Sequence, residues 1–425
     1  MRPSSVRTAT AGMAVAFTLV TACSTSSGGG SGTATSGSTS GSTSDTASGT
    51  TTSATSGTGQ AKNNASTCSP GTTSSADAGV RAAQAAINKA GGTTEAWDGP
   101  TTGSKARKKG ATVVYIPSNS SNQGDTAVLA GFQEAAKVLG WKVKVIDGRG
   151  TTANNVAAFD QALALKPAGI VVSSFDPASS ASEFAKAKAD GIPVVGNHTG
   201  GLAGPHSSAP ALFTNITSDP ATIAKIATDC AIVASNGRAG VAIYGCGTEF
   251  AACETKENAM VATLKSCKGC TLLNRTDYPF EDLTQRQGGI SAAAVQKYRS
   301  KLTYLLSIND GYWDASIPAL KAVGVRAGGP PAMIAAGDGS TAAFQRIRTG
   351  QYQIATVAEP LNEHGWQAAD ELNRALSGAQ PSTYVTYPHI VTSVNVNAEG
   401  GAKNTYDPTN GYRTHYQAIW GVQAG

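Results

Sequence analysis

Ten short β-rich apolar runs alternate with helix-patterned stretches from Ala111 onward, and this alternation constrains the fold more than any other feature of the 425-residue chain. The first five are Ala111–Pro117, Lys142–Asp147, Ala168–Phe175, Pro193–Asn197 and Leu212–Ile216. The second five are Gly240–Cys246, Thr271–Thr276, Tyr304–Asp310, Ala332–Asp338 and Ile354–Pro360. Continuous apolar runs such as Gly169-Ile-Val-Val172 suit strands covered on both faces. Between them lie amphipathic stretches such as Asp125–Leu139, Ala181–Asp190 and Gln367–Leu376. Gly140, Gly191, Gly324 and Gly378 follow helical stretches where a left-handed residue closes the last turn. The pattern predicts parallel sheets flanked by helices. A gap of poor strand character, Thr199–Pro210, and a long helical stretch, Asp219–Ser235, fall midway and divide the strands into two α/β lobes of similar size.

The N-terminus reads as an address. Arg2 and Arg7 precede a mostly apolar run, Ala11 to Val20, too short to span a bilayer and suited to a secretory signal over residues 1–22. Val20-Thr-Ala-Cys23 resembles the bacterial lipobox, in which Cys23 would be acylated; an ordinary signal peptide is the alternative. Of residues 24–59, 32 of 36 are Ser, Thr or Gly. Such a stretch cannot bury enough surface to offset its ordering entropy, so residues 23–75 are expected to form a tether; residues 24–59 alone would span about 35 Å. Acyl chains would hold it on the outer face of the cell membrane. The net charge of +5 falls to about +3 without Arg2 and Arg7, which leaves no footprint for nucleic acid. A mean hydropathy of -0.15 with one long apolar run excludes a polytopic membrane protein.

Outside the cytoplasm cysteines favour disulfides. Six follow Cys23, and six allow fifteen connectivities. Short spacing favours Cys246–Cys253 and Cys267–Cys270, leaving Cys68–Cys230. Cys267-Lys-Gly-Cys270 has the form of a thiol oxidoreductase motif, but it follows a helical pattern rather than opening a helix, so it reads as a clip. The remaining histidines, His206, His364, His389 and His415, lack metal spacing and read as structural. No Gly-x-Ser-x-Gly elbow, phosphate-binding loop or dinucleotide fingerprint is present. No catalytic group, metal or cofactor is expected.

Ligands of doubly wound sheets bind at the carboxyl ends of the strands, and those ends are unusually polar here. Strand one runs into Ser118-Asn-Ser-Ser-Asn-Gln-Gly-Asp125, and strand four ends in Asn197-His198. The second half offers Asn309-Asp310 with Trp313 beyond, Gly337-Asp338-Gly339 and Glu359-Pro360. Carboxylates and amides pair hydroxyls, and aromatic rings cover C–H faces, so the set suits a neutral polyhydroxylated ligand. Each position has a plainer reading. Asp338 would shape a turn, Asn309-Asp310 would cap a helix, His198 and Glu359 would bond at a hinge, and Trp313 would cap a lobe surface.

At these residues the chain resembles a type I periplasmic binding protein of the ribose-binding-like branch of sugar ABC-transporter receptors. The resemblance rests on Val113-Val-Tyr-Ile-Pro-Ser118, Gly131-Phe-Gln-Glu-Ala-Ala136, Lys166-Pro-Ala-Gly-Ile-Val-Val172 and Gly191-Ile-Pro-Val-Val195. It continues through Asn309-Asp310, Gly337-Asp338-Gly339 and Ala355-Thr-Val-Ala-Glu359-Pro360, covering roughly residues 111–395. It implies a two-lobed clamp with three hinge crossings, near Thr217–Asp219, Glu359–Leu361 and Pro388–Val391. After an extension at 76–110, lobe 1 would span 111–217 and be completed by 361–389. Lobe 2 would span 218–360 and be completed by 390–425. The implied ligand contacts are Ser118, Asn122, Asp125, Asn197 and His198 in lobe 1. In lobe 2 they are Thr255 or its neighbour Cys253, Phe280, Asn309, Asp338 and Glu359, with Asp310 and Trp313 as further candidates. Ribose receptors place Phe residues near Asp125, an Asp-Arg pair at Asn197-His198 and an Arg near Thr255; none stands here. That argues against ribose itself and against an anionic ligand.

The expectation is a lipid-anchored extracytoplasmic receptor, monomeric, that closes around a monosaccharide or sugar alcohol and docks on an ABC permease with its ATPase. A nucleoside or furanosyl signalling ligand, or a sensor-kinase partner, is the alternative for the same clamp. An anchored carbohydrate-active enzyme would need two carboxylates about 5–10 Å apart, with Asp338 and Glu359 as the candidates.

Overall fold

The two halves of the chain each build a parallel sheet on one strand-order pattern. This is read from a computed structural model that describes residues 68–92, 96–205 and 211–422, apart from the Glu249 side chain. The expected signal segment, Cys23, the tether up to residue 67 and His206 lie outside the described residues.

The first half runs α1 (Ala78–Ala90), β1 (Thr112–Pro117), α2 (Gln123–Leu139), β2 (Lys142–Val145), α3 (Thr152–Ala164), β3 (Ile170–Ser173), α4 (Ala181–Ala189), β4 (Val194–Asn197) and β5 (Leu212–Ile216). The second runs α5 (Pro220–Ala234), β6 (Gly240–Gly245), α6 (Ala251–Ser266), β7 (Thr271–Asp277), α7 (Leu283–Tyr298), β8 (Tyr304–Ser307), α8 (Gly311–Ala322), β9 (Ala332–Ala335), α9 (Thr341–Thr349) and β10 (Gln353–Ala358). The chain closes with α10 (Leu361–Leu376), β11 (His389–Thr392), α11 (Val396–Gly400) and α12 (Tyr412–Trp420).

Sheet one has the order β2-β1-β3-β4-β5, all parallel, and sheet two β11-β10-β9-β8-β6-β7, parallel except for the antiparallel β10–β11 pair. All ten expected runs are strands. The inner strands β3, β4, β8 and β9 are buried at every residue, whereas edge strands β2 and β7 retain exposed positions. That is why continuous apolar runs mark the inner strands. The strand β11 has no helical or alternating signal of its own. Its residues were expected only as a hinge crossing, and they form a strand because β10 supplies an edge.

Three crossings join the lobes, between β5 and α5, between β10 and α10, and between α10 and β11; the third runs over residues 377–388, ahead of the expected Pro388–Val391, most of which lies in β11. Helix α10 packs directly on α2. A Cβ on Gly131 would lie 2.2 Å from the Asn362 carbonyl oxygen, and one on Gly365 2.3 Å from the Phe132 amide nitrogen. Only glycine permits that approach.

Two expectations at the ends are corrected. The tail does not finish on lobe 2. Trp420 of α12 stacks on Trp366 of α10 at 5.4 Å, and its Nε1 donates to Asp370 Oδ1 at 2.8 Å, so α12 belongs to the lobe 1 core with Val113 and Phe132. The tether also ends earlier than residue 75. Cys68 is buried and bonded to Cys230 on α5, where Val80 and Ala83 of α1 pack on Ile232. Further along the extension, Trp97 stacks on His415 at 5.0 Å and Ala106 N donates to Trp420 O. The extension therefore docks on both lobes. Cys246–Cys253 and Cys267–Cys270 are the other two disulfides, the two pairs that short spacing favoured, with Cys68–Cys230 the pair left over. No helix among the described residues is long and apolar enough to cross a membrane.

Candidate ligand-binding cleft

Every strand of the two inner sets ends at one cleft. Each sheet reverses its winding direction between its first and third strand, and that opening is where doubly wound sheets take ligands. The cleft encloses about 980 Å³, including its solvent-open mouth. The lobes touch across it: Thr341 N at the start of α9 donates to Gln123 Oε1 of α2 at 3.2 Å.

From lobe 1, Ser118, Asn119, Asn122 and Asp125 line the cleft, with Ser174, His198 and Thr217. Ser118 Oγ lies 3.1 Å from the Asn155 amide. Asn122 caps α2 by accepting from Gly124 N at 2.9 Å. Asp125 is buried; its Oδ1 accepts from Ser173 Oγ at 2.8 Å and Ser174 Oγ at 2.7 Å, and its Oδ2 from Asn119 N at 3.2 Å. Burial raises the Asp125 carboxyl above its ordinary range, against the pull of these three bonds.

From lobe 2 come Phe250, Cys253, Lys256, Phe280, Ile308, Asn309, Asp338 and Glu359. Asn309 Oδ1 accepts from Gly311 N at 3.0 Å, in the turn that leads into α8, and the residue lines the cleft. Asp338 sits at φ 65 between two positive-φ glycines. Gly337 is glycine because its φ of 133 is one that residues with a Cβ rarely adopt. No hydrogen-bond donor among the described residues reaches the Asp338 carboxylate. Burial raises this carboxyl, with Lys256 opposing and the neighbouring carboxylate of Glu359 adding to the rise. Ser174 (φ 59) and His198 (φ 49) are also left-handed. Three strained non-glycine residues facing one cleft are the mark of a built site.

The centre of the cleft is an ion network. His198 Nε2 lies 3.0 Å from Glu359 Oε2, and Lys256 Nζ lies 3.9 Å from Glu359 Oε1 while donating to Ile308 O at 3.2 Å. Ser218 N also donates to Glu359 Oε2 at 3.3 Å. Burial opposes charge on both His198 and Glu359, yet their attraction outweighs it. Glu359 is held at about 2, and His198 rises above its ordinary 6.5. The stabilisation from Glu359 is complete above its ordinary 4.5 and is lost as pH falls toward about 2. That from His198 is complete below 6.5 and is lost as pH rises through its raised value. The stability advantage of the natural protein over His198→Gln is therefore expected to peak at roughly pH 5–6 and shrink above about pH 7. Denaturant unfolding of both proteins across that range measures it, and a pH-independent difference would contradict the pairing.

Four expected contacts do not line the cleft. Asn197 is buried beneath it, accepting from Ser173 Oγ at 3.1 Å and donating to Ile216 O at 3.1 Å. Thr255 turns its hydroxyl to its own helix, donating to Ala251 O at 2.8 Å. Asp310 is buried and accepts from Gly339 N at 2.9 Å, Ser340 N at 3.0 Å, Gln353 Nε2 at 2.6 Å and Thr356 Oγ1 at 3.1 Å. It holds the loop that presents Asp338. Trp313 is fully buried and sits edge-on to Tyr244 at 6.3 Å in the lobe 2 core.

Sequence reading missed Lys256, Phe250 and Ser174. Cys253 and Lys256 are three apart on α6 and share a face; Thr255 is off that face. The helical register, once anchored at Cys253, carries that signal. Phe250 and Cys253 belong to a wall closed by the Cys246–Cys253 disulfide, of sequence separation 7. Removing it as Cys246→Ala/Cys253→Ala is expected to cost about 2 kcal/mol. Thermal unfolding with and without reductant would show this, and equal midpoints would contradict it.

Comparison with known proteins agrees with this geometry. A family model described as "Periplasmic binding protein domain" matches residues 113–380. No curated protein sequence matches. Among solved structures, a sugar ABC transporter from Yersinia enterocolitica subsp. enterocolitica 8081 is 19% identical with a TM-score of 0.62, covering 74% of this chain and 96% of that one. An ABC transporter solute binding protein from Agrobacterium vitis bound with alpha-D-tagatopyranose is 16% identical with a TM-score of 0.63, covering 70% and 100%. Another from the same organism, with bound allitol, is 20% identical with a TM-score of 0.59, covering 68% and 98%. At these identities the structures show the shared fold. With the matched span running from β1 past α10, and the cleft at the strand ends of two doubly wound lobes, the chain belongs to the periplasmic binding protein family, in its type I, ribose-binding-like kind, a family of binding proteins rather than enzymes.

Proposed function

We propose that this chain is an extracytoplasmic receptor, lipid-anchored through Cys23, that closes around a neutral monosaccharide or sugar alcohol and delivers it to an ABC permease. The observation that carries this reading is Asp338: a strained, half-buried carboxylate with no donor among the described residues, lining a cleft that Phe250 and Phe280 also line. Such a group is costly unless a ligand supplies donors. A polyol supplies hydroxyl hydrogens to Asp338 and accepts from Lys256, while Phe250 and Phe280 take its C–H faces. Neighbours described with bound tagatopyranose, allitol and D-arabinose support the class. Their ABC-transporter descriptions support the permease partner. The family supports a location outside the cytoplasm, and the lipobox-like Val20-Thr-Ala-Cys23 supports the anchor.

The test is a thermal-shift screen of the chain from Ser66 onward, so that Cys68–Cys230 is kept. Pentoses, hexoses, ketohexoses, alditols and nucleosides form the panel. A micromolar ligand at millimolar concentration adds about 4 kcal/mol of stability. A large shift with one sugar or polyol, recovered unchanged afterwards, is expected. A shift with nucleosides alone, or with no compound, would overturn the assignment, and chemical conversion of the sugar would replace the receptor with an enzyme.

A further inference from the structure

At the ion network of the cleft, where the crossings meet, His198, Glu359 and His364 each bring one metal-ligating atom within 4.8 Å of the others. His198 comes from the end of β4, Glu359 from the β10–α10 crossing and His364 from the first turn of α10. The sequence alone reads His364 as structural, and a hydrogen-bonded hinge would account for His198 on Glu359. It does not account for His364. This ring is fully buried, its Nε2 lies 2.6 Å from Thr386 Oγ1, and its Nδ1 has no hydrogen-bond partner. One ring nitrogen is therefore left unused.

Two neutral-capable imidazoles and one carboxylate form the ligand set of an open three-residue site for zinc or a neighbouring late first-row metal. Thr386, itself 2.8 Å from Ser218 Oγ, would fix the orientation of the His364 ring as an outer partner does. Lys256 lies toward the other oxygen of Glu359, Oε1, while Oε2 faces His198 and accepts from Ser218 N. Metal–ligand bonds of about 2.0–2.2 Å put tetrahedral ligand atoms about 3.4 Å apart, so the widest pair closes by a little over 1 Å through side-chain rotation. His198 lines the cleft, which gives the ion an entry path and leaves its fourth position toward the ligand.

We propose that His198, Glu359 and His364 form a binding site for one divalent late transition-metal ion, zinc in class, whose open position faces the cleft. The inference does not rest on the sugar assignment, since metal binding and sugar binding are titrated separately.

The test uses untagged protein stripped with chelator, titrated calorimetrically with Zn²⁺ in the absence of sugar. One saturable equivalent is expected, weakened at least tenfold in His364→Asn and in His198→Asn. Absence of saturable binding, or binding unchanged in His364→Asn, would overturn the site. Should the buried substitution fail to fold, Co²⁺ added to the natural protein decides. Intense visible bands of a four-coordinate nitrogen-containing site are expected, and the weak spectrum of the hydrated ion would overturn the proposal. A sugar response in the screen with no zinc response leaves the receptor reading intact and removes only the metal.

Discussion

Asp338→Asn is expected to weaken binding of the sugar identified by the screen about a hundredfold, while leaving the unliganded protein as stable or slightly more so. The substitution keeps the shape and tolerates the left-handed backbone, since Asn visits that region as readily as Asp. What it removes is a charged acceptor. A hydrogen bond to a charged group contributes about 1.5–3 kcal/mol, and 1.4 kcal/mol is tenfold in affinity. In the empty cleft the same charge is a liability, because burial and the Glu359 carboxylate both raise Asp338. Neutralising it relieves the cost of burying that charge, with no donor orphaned. Calorimetric titration and thermal unfolding of the same samples give both numbers. Unchanged affinity with a lowered midpoint would mean that Asp338 only shapes its turn.

Glu359→Ala is expected to cost about 3–5 kcal/mol of stability, the range for removing one partner of a buried pair. Glu359 is 1% exposed at its side chain and answers His198, Lys256 and the Ser218 amide at once. Its loss leaves two cationic groups and a buried N–H without their acceptor. It also severs a link between crossings, because Ser218 N on the first donates to Glu359 Oε2 on the second at 3.3 Å. For a protein of this size the unfolding midpoint falls by roughly 4–7 °C. Differential scanning calorimetry at about pH 6, within the window where the ion pair is complete, measures it. A midpoint within about 2 °C of the natural protein would show that the network contributes little. Glu359→Gln, which keeps an acceptor, should fall between the two.

The ten strands, their division into two lobes and the polar strand ends were legible because each is a local property. A strand covered on both faces must be apolar throughout, and a strand end must carry whatever its loop presents. Asn122, Asp125, His198, Asn309, Asp338 and Glu359 reach the cleft because parallel sheets deliver all their carboxyl ends to one edge. The cysteine pairing followed spacing for the two short loops, where chain length alone limits the choice.

What only the tertiary structure decided is which way side chains turn once those ends are fixed. Asn197 and Asp310 stand beside cleft residues in sequence, yet they point inward: Asn197 because successive residues of a strand face opposite sides, Asp310 because Gly339 N, Ser340 N, Gln353 and Thr356 draw its carboxylate beneath the loop. Trp313 is drawn into the lobe 2 core, where its surface is removed from water, instead of walling the cleft. Thr255 gave way to Lys256 because one step along α6 rotates the side chain by about 100°, and only the docking of that helix sets the zero of the rotation. The same is true of β11 and α12: the first needed an exposed edge of β10, the second the indole of Trp366, and neither partner lies near them in sequence. Local periodicity fixes what each segment becomes; burial against distant segments fixes what it faces.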